Sequence, residues 1–132
     1  MTLNVELVQP EGELWAGEAS LVVARTRDGE IGVMTGHTPV IGILYEGSLV
    51  QIREDDPAKP DVFAAVSGGF LSVSGNRVSV LAREAVLGSQ VDTAAAQAGL
   101  AEAQARQPSA GPEDPPEVRY YQAQLSAAEQ AR

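Results

Sequence analysis

The stretches Gly29-Glu30-Ile31-Gly32-Val33-Met34-Thr35-Gly36-His37-Thr38-Pro39-Val40 and Val66-Ser67-Gly68-Gly69-Phe70-Leu71-Ser72-Val73 carry most of the information in this 132-residue sequence. In both, glycines stand where a strand must turn or where another backbone comes close. The residues between the glycines alternate apolar and polar side chains. This period of two residues is typical of a strand with one buried face, so the stretches predict paired β-strands.

Turn residues predict two of the hairpins. Asp28-Gly29 has the composition of a type I′ turn, in which both central residues adopt positive φ. Counting outward from this turn places Arg27 opposite Glu30. Gly75-Asn76 is predicted as a second two-residue turn, and the apolar residues of its flanking strands then share one face, as the pairs Val73–Val78 and Leu71–Val80.

The spacing of strand and turn signals predicts an all-β sandwich. Leu3, Val5 and Leu7 alternate with polar residues, which indicates a first strand. Further apolar runs follow up to about residue 88, bounded by glycine, proline or acidic residues, and they suggest about ten short strands. We therefore expect residues 1–88 to form one β-sandwich domain with an aliphatic core.

Residues 89–132 predict a C-terminal α-helical hairpin. Asp92 is a candidate N-cap for a helix over Thr93–Arg106, which contains seven alanines. Residues 107–116 hold four of the eight prolines and predict a loop, and a second helix is expected from Glu117 to the end of the chain. Because alanine buries little apolar surface, we expect this helix-loop-helix domain to be mobile and to extend where a partner offers a better surface.

Composition excludes several classes of function. Eighteen acidic against nine basic residues repel phosphate backbones, so nucleic acid is not an expected ligand. The absence of cysteine removes disulfides and thiolate metal sites and fits a reducing compartment. No signal segment and no apolar run long enough for a transmembrane helix is visible, so we expect a soluble protein that reaches a membrane only through a partner.

At this order and spacing the two stretches, followed by the run from Asn76 to Ala82, resemble the epsilon subunit of bacterial F-type ATP synthases. The family pattern reads roughly Gly-x-Leu-Gly-x-x-Pro-Gly-His-x-Pro-Leu and then Gly-Gly-x-Leu-x-Val. This chain keeps nearly every defining position, and Thr35 stands where the family usually has proline. The resemblance covers residues 1 to about 88 well and the remainder only by general pattern, and it implies a ten-stranded β-sandwich before the helices.

The resemblance also implies a function. It describes a non-catalytic rotor subunit of the central stalk, without a cofactor, joined to the gamma subunit and seated on the c-ring. Rotation of the ring, driven by protons or sodium ions, then turns the stalk to support ATP synthesis. The implied location is the cytoplasmic face of the bacterial cell membrane, as a peripheral part of the complex. The alternative is a free-standing β-sandwich adaptor or ligand-binding module, and an enzyme is a weaker alternative still.

The candidate contact residues lie in the first of the two stretches. By composition, Asp28 and Glu30 belong to a solvated hairpin tip, whereas the resemblance implies that they contact the polar loops of the c-ring. The only histidine, His37, follows Gly36 in a glycine-proline turn. Catalysis, a structural role and a subunit contact with gamma or the c-ring are the three interpretations of His37, and one imidazole without cysteine or clustered carboxylates makes no metal site.

The second helix has a weak basic character. In relatives, basic residues of this helix approach the beta subunit and block hydrolysis, and the alpha and beta subunits are implied as transient partners. Here only Arg119 and Arg132 are available, offset by acidic neighbours, so we expect at most weak inhibition. Some relatives bind ATP through a motif resembling Ile-Asp-x-x-Arg-Ala. Asp92 matches it but Ala95 replaces the arginine, so nucleotide binding is expected to be weak or absent.

Overall fold

The computed structural model describes residues 2–106 and 114–131. The elements, in chain order, are β1 (Leu3–Gln9), β2 (Gly12–Thr26), β3 (Gly29–Val33), β4 (Val40–Ile43), β5 (Ser48–Glu54), β6 (Val62–Ser74), β7 (Arg77–Leu87), a 3-10 turn (Gly88–Gln90), α1 (Thr93–Arg106) and α2 (Pro116–Gln130). The predicted fold class, an all-β sandwich followed by two helices, is confirmed. Most of the predicted loop 107–116 and the site candidate Arg132 lie outside the described residues.

The strands form one sheet that folds back on itself. Its order is β1-β7-β6-β5-β2-β3, with β1 also paired to β2 and β4 paired to β6. The described residues contain seven strands, fewer and longer than the ten short ones expected. The reason is that long strands serve both layers: β2 pairs with β1 through its first half and with β3 and β5 through its second half, across a register shift near Ala19.

Period-two alternation decides what the sandwich buries. On β1, Leu3, Val5 and Leu7 point into the core, as the sequence predicts. Branched aliphatic side chains from both layers complete this core, among them Leu44, Ile52, Leu71, Val22, Val33, Val50, Val66, Val78 and Val80. Close packing of such side chains makes the sandwich a stiff body, because dense interiors deform little.

The two predicted hairpins have different outcomes. The last hairpin is confirmed, with Gly75-Asn76 as its turn and the predicted pairs Val73–Val78 and Leu71–Val80. The prediction for the β2–β3 hairpin was wrong. Thr26 pairs with Gly29, so the turn lies one residue earlier and the partner of Glu30 is Arg25, two residues before the predicted Arg27.

A conformational limit explains the shifted hairpin. A type I′ turn needs positive φ at Asp28 as well as at Gly29, and no non-glycine residue in the described part of the chain has positive φ. The Thr26 hydroxyl closes the turn instead. Its Oγ1 accepts a hydrogen bond from the Asp28 N–H at 3.2 Å and donates one to the Gly29 carbonyl at 2.9 Å.

Helix α2 lies between α1 and the sandwich. It packs on β5, β6 and the 3-10 turn, whereas α1 packs mainly on α2. The end of α1 meets the start of α2 through the Arg106–Glu117 ion pair at 2.8 Å, and Gly99 faces Tyr121, so the helices are antiparallel. The predicted N-cap is confirmed, because Asp92 Oδ1 accepts the Ala95 N–H at 3.1 Å.

Candidate functional site: an exposed apolar ladder and the turn that receives α2

An exposed row of large apolar side chains crosses three neighbouring strands. Ile43 pairs with Phe70 between β4 and β6, and Phe70 pairs with Leu81 between β6 and β7. These side chains are 47%, 53% and 44% exposed, and Ile41, on the same face of β4, is 75% exposed. We call these four residues the apolar ladder. A continuous exposed apolar patch on a well-packed domain marks a surface for protein contact.

The backbones of β6 and β7 approach each other closely beside the apolar ladder. Gly69 has φ +105, and a Cβ placed there would lie 1.9 Å from the Leu81 carbonyl oxygen. Only glycine fits this approach of β6 to β7. The Gly68-Gly69 doublet is therefore a close strand contact that sets the position of Phe70. Strand β4, which carries Ile41 and Ile43, pairs only with β6 among the described strands.

The apolar ladder was not predicted from the sequence, although one signal was present. The run from Val40 to Leu44 is apolar without a polar residue between, apart from Gly42. A strand whose two faces are both apolar has both faces covered, either by its own chain or by a partner protein. Leu44 is buried in the core, so the side chains on the other face, Ile41 and Ile43, are the ones left exposed.

The structure separates the two pairs of predicted contact residues. Asp28 and Glu30 lie at the exposed tip where β3 begins, and Gly36 and His37 follow the other end of β3. The Arg27 N–H donates to the Ile43 carbonyl at 2.9 Å. The Asp28–Glu30 tip therefore adjoins the apolar ladder, whereas the His37 turn does not share this end of β3.

Local hydrogen bonds hold the His37 turn. The Gly36 N–H, at φ +83, donates to Asn76 Oδ1 at 3.0 Å and so joins this turn to the last hairpin. The His37 N–H donates to the Met34 carbonyl at 3.2 Å. His37 Nδ1 lies 2.7 Å from the Thr38 carbonyl oxygen, which can only accept, so Nδ1 carries the proton. These bonds fix the position of His37 in the turn, and no cluster of metal-ligating side chains occurs within residues 2–106 and 114–131.

The other predicted site residues lie on or near the helices. Asp92 serves as the N-cap of α1. Arg119, on α2, faces the sandwich at the turn Tyr45-Glu46-Gly47, where its guanidinium lies 4.6 Å from the centre of the Tyr45 ring. The next residue, Tyr120, packs with Ala65, Leu49 and Phe63. Burial, followed by the nearby Glu84 carboxylate and Tyr121, raises the pKa of Tyr120 to about 12.

No helix within the described ranges combines the length and the apolar character needed to cross a bilayer.

Comparison with solved structures supports the fold. The chain superposes on a chain of the Euglena gracilis mitochondrial ATP synthase with a TM-score of 0.73 at 20% identity, covering 98% of this chain and 81% of that one. A chain of the Tetrahymena thermophila mitochondrial ATP synthase, in a structure of its central stalk and c-ring, gives a TM-score of 0.56 at 14% identity, covering 99% and 96%.

Sequence comparison gives the family. A family profile described as the beta-sandwich domain of the ATP synthase delta/epsilon chain matches residues 2–88. The chain is 51% identical over 100 residues to the ATP synthase epsilon chain of Rhodococcus opacus, covering 76% of this chain and 80% of that relative. It is 50% identical over 98 residues to that of Corynebacterium glutamicum, covering 74% and 77%. The profile and these relatives show that this chain belongs to the epsilon chain family of ATP synthases.

Proposed function

We propose that this chain is a non-catalytic rotor subunit of the central stalk in a bacterial F-type ATP synthase. In this role it joins the gamma subunit and the c-ring, so that ring rotation driven by protons or sodium ions is transmitted to the stalk during ATP synthesis. The relatives named epsilon chain support membership of the complex. The tightly packed sandwich supports the mechanical part of the proposal, since a body that transmits torque must be stiff.

The apolar ladder is the observation that carries the proposal. Ile43, Phe70 and Leu81 form a row that the described fold leaves uncovered. Aromatic and aliphatic anchors of this kind form the centres of stable interfaces. We assign the ladder to the gamma subunit. The neighbouring acidic tip, with Asp28 and Glu30, is assigned to the polar loops of the c-ring.

The position of the tip fits this assignment. Asp28 and Glu30 are exposed, and the tip is tied to the ladder by the Arg27–Ile43 hydrogen bond of 2.9 Å. A subunit that joins a shaft to a ring needs two adjoining surfaces of this sort, one apolar and permanent and one polar. Gly36 and His37 remain candidates for a further contact with gamma or the c-ring, at the other end of β3.

The C-terminal region takes a regulatory part in the proposal. We propose a boundary near residue 88, between a rotor-stalk domain of residues 1–88 and a helix-loop-helix domain of residues 89–132. The helices contact the alpha and beta subunits only transiently, and they inhibit ATP hydrolysis weakly. Helix α2 supports the weak inhibition, because residues 116–130 hold one arginine against two glutamates. The subunit is proposed to lie peripherally at the cytoplasmic face of the membrane, within the complex.

The binding test compares two exposed apolar residues, one inside and one outside the apolar ladder. Phe70→Ser removes the centre of the ladder, whereas Met34→Ser changes a side chain that is 62% exposed in the His37 turn. Calorimetric titration of purified gamma subunit should show a one-to-one complex with the wild type. We expect Phe70→Ser to weaken binding by at least about thirtyfold, as for an anchor worth ~2 kcal/mol, and Met34→Ser to change it little.

The outcomes separate the alternatives. If the wild-type chain ignores gamma, the rotor proposal fails and the free-standing adaptor is favoured. If gamma binds but only Met34→Ser weakens the complex, the rotor proposal stands and the contact surface moves to the His37 turn. Deletion of residues 89–132 in the assembled complex tests the regulatory part. Synthesis should change modestly and hydrolysis should rise little, and a many-fold rise in hydrolysis would contradict weak inhibition.

A further inference from the structure

The ring of Tyr45 receives two guanidinium groups from distant parts of the chain. Arg25, near the end of β2, lies 4.7 Å from the ring centre, and Arg119, on α2, lies 4.6 Å from it. A guanidinium within about 6 Å of an aromatic ring centre is attracted by the electron density of the ring face. Tyr45 therefore connects the sandwich to the helical region through its ring.

Hydrogen bonds orient Arg119 at this position. Its Nε donates to the Glu46 carbonyl at 2.9 Å, and its Nη1 donates to the Asp114 carbonyl just before α2 begins. The planar guanidinium can stack and donate in several directions at once, which the ammonium group of lysine cannot do. Arg119 thus joins the start of α2 to the turn Tyr45-Glu46-Gly47.

The turn is shaped to receive α2. The Glu46 carboxylate lies 3.0 Å from Arg83 of β7 and 3.8 Å from Arg27 in the β2–β3 turn, so two other segments of the sandwich contact this turn. Gly47 has φ +73, and a Cβ placed there would lie 2.5 Å from Cβ of Arg119. The helix backbone therefore touches the turn at a position where only glycine leaves room.

The remaining contact between α2 and the sandwich combines small side chains with larger ones, since Leu49, Phe63, Val86 and Tyr120 pack against the same cluster. Ala123 and Ala127 of α2 pack on Ala65 of β6, with Tyr120 beside them. Methyl groups bury little area, so each contributes little to docking. Arg119 adds to this apolar contact a stacked and hydrogen-bonded group at the start of α2.

We propose that the contact of Arg119 with Tyr45 and Glu46 is a latch that keeps α2 docked on the sandwich, and that docking is the main role of Arg119. The latch is a property of the free chain. Only its effect on ATP hydrolysis depends on the proposed rotor function. In the docked form Arg119 is engaged with the sandwich, so an inhibitory contact through the same guanidinium requires that the latch open first.

Hydrogen exchange of the full-length protein at neutral pH tests the latch. Tyr45→Leu keeps an apolar side chain but removes the aromatic face, and Tyr45→Phe is the matched control that keeps the face. Arg119→Lys keeps the charge but loses the planar stack. We expect Tyr45→Leu and Arg119→Lys to accelerate exchange in α2 by at least about tenfold and Tyr45→Phe to change it by less than about threefold.

Two further variants frame the result. Gly88→Ala is a positive control for undocking, because a Cβ there would lie 2.3 Å from the Ala127 carbonyl oxygen. Arg106→Gln breaks the ion pair between the helices and leaves the turn untouched. Unchanged exchange of α2 in Tyr45→Leu overturns the latch, as does equal acceleration in Tyr45→Phe. Equal acceleration in β6 also overturns it, because Tyr45 would then support the sandwich rather than the helix.

The assembled complex gives a second test, because the two interpretations of Arg119 predict different changes in ATP hydrolysis. If Arg119 acts as a latch, Arg119→Lys and Tyr45→Leu have the same effect on ATP hydrolysis, and neither variant raises its rate. If Arg119 mainly makes an inhibitory contact, Arg119→Lys raises hydrolysis while Tyr45→Leu does not, and the latch is rejected. Gamma binding by both variants, measured in parallel, should equal that of the wild type. A loss of that binding would count against the assignment of gamma to the apolar ladder, and the exchange result would still decide the latch.

Discussion

Gly99 of α1 lies directly against the ring of Tyr121 of α2. A Cβ placed on Gly99 would lie 2.4 Å from Cε1 and 2.5 Å from Cζ of that ring. In the middle of a helix glycine costs about 1 kcal/mol relative to alanine. The close packing of the two helices is the physical reason for a glycine at this position.

The substitution Gly99→Ala therefore tests whether helix–helix packing or intrinsic helix propensity decides the stability of α1. By propensity alone it would stabilise α1 by about 1 kcal/mol, but the ring of Tyr121 must move to admit the methyl group. We expect faster amide exchange in α1 rather than slower. In a Tyr121→Ala background the same change should slow exchange, because the obstacle is gone. Slower exchange in both backgrounds would show that the helices are not held in this register.

We expect the docking of α2 on the sandwich to weaken at alkaline pH because Tyr120 ionises. Burial, then Glu84 and Tyr121, raises its pKa from 10.0 to about 12, so the folded state favours the neutral phenol. The corresponding stabilisation is fully present below pH 10.0 and is lost as the pH rises toward 12. The protection of α2, taken relative to the base-catalysed exchange of an unstructured amide, should fall over this range as the tyrosinate absorbance rises. Tyr120→Phe should remove this component, and an unchanged pH profile in that variant would contradict the assignment.

Neighbouring residues of β6 should differ sharply in their effect on stability. Leu71 is fully buried, whereas Phe70 is about half exposed on the ladder. Leu71→Ala should lower the free energy of unfolding by about 2–5 kcal/mol, because it leaves a cavity. Phe70→Ala should cost less than about 1 kcal/mol. Urea denaturation followed by the fluorescence of Trp15, which packs partly on the core, measures both. Equal costs would mean that the ladder is part of the core.

Asp92 should act as a helix cap and not as a ligand for nucleotide. Because its carboxylate accepts the Ala95 N–H, Asp92→Ala should destabilise α1 by about 1 kcal/mol. Asp92→Asn keeps the acceptor and should cost only a few tenths. Millimolar ATP should leave the chemical shifts around Asp92 unchanged in the wild type, because Ala95 supplies no positive charge. Clear shift changes on addition of ATP would contradict this.

Predictions from the sequence agree with the structure where the interactions join residues that are close together in the chain. The pairs Val73–Val78 and Leu71–Val80 were predictable because a two-residue turn and a period of two residues set the register locally. The Asp92 cap was predictable for the same reason. The β2–β3 register was missed because the side chain of Thr26 closes the turn in place of a positive φ at Asp28, and composition alone does not reveal that bond.

The amino-acid sequence alone determined the class of fold, the alternation of buried side chains and the family pattern, since these depend on residues close together in the chain. Tertiary structure decided which apolar faces stay uncovered and where α2 docks. Phe70 joins Ile43 only through the pairing of β4 with β6, and Tyr45 meets Arg119 across 74 positions of the chain. Such contacts depend on how whole elements pack, and no local pattern of residues encodes them.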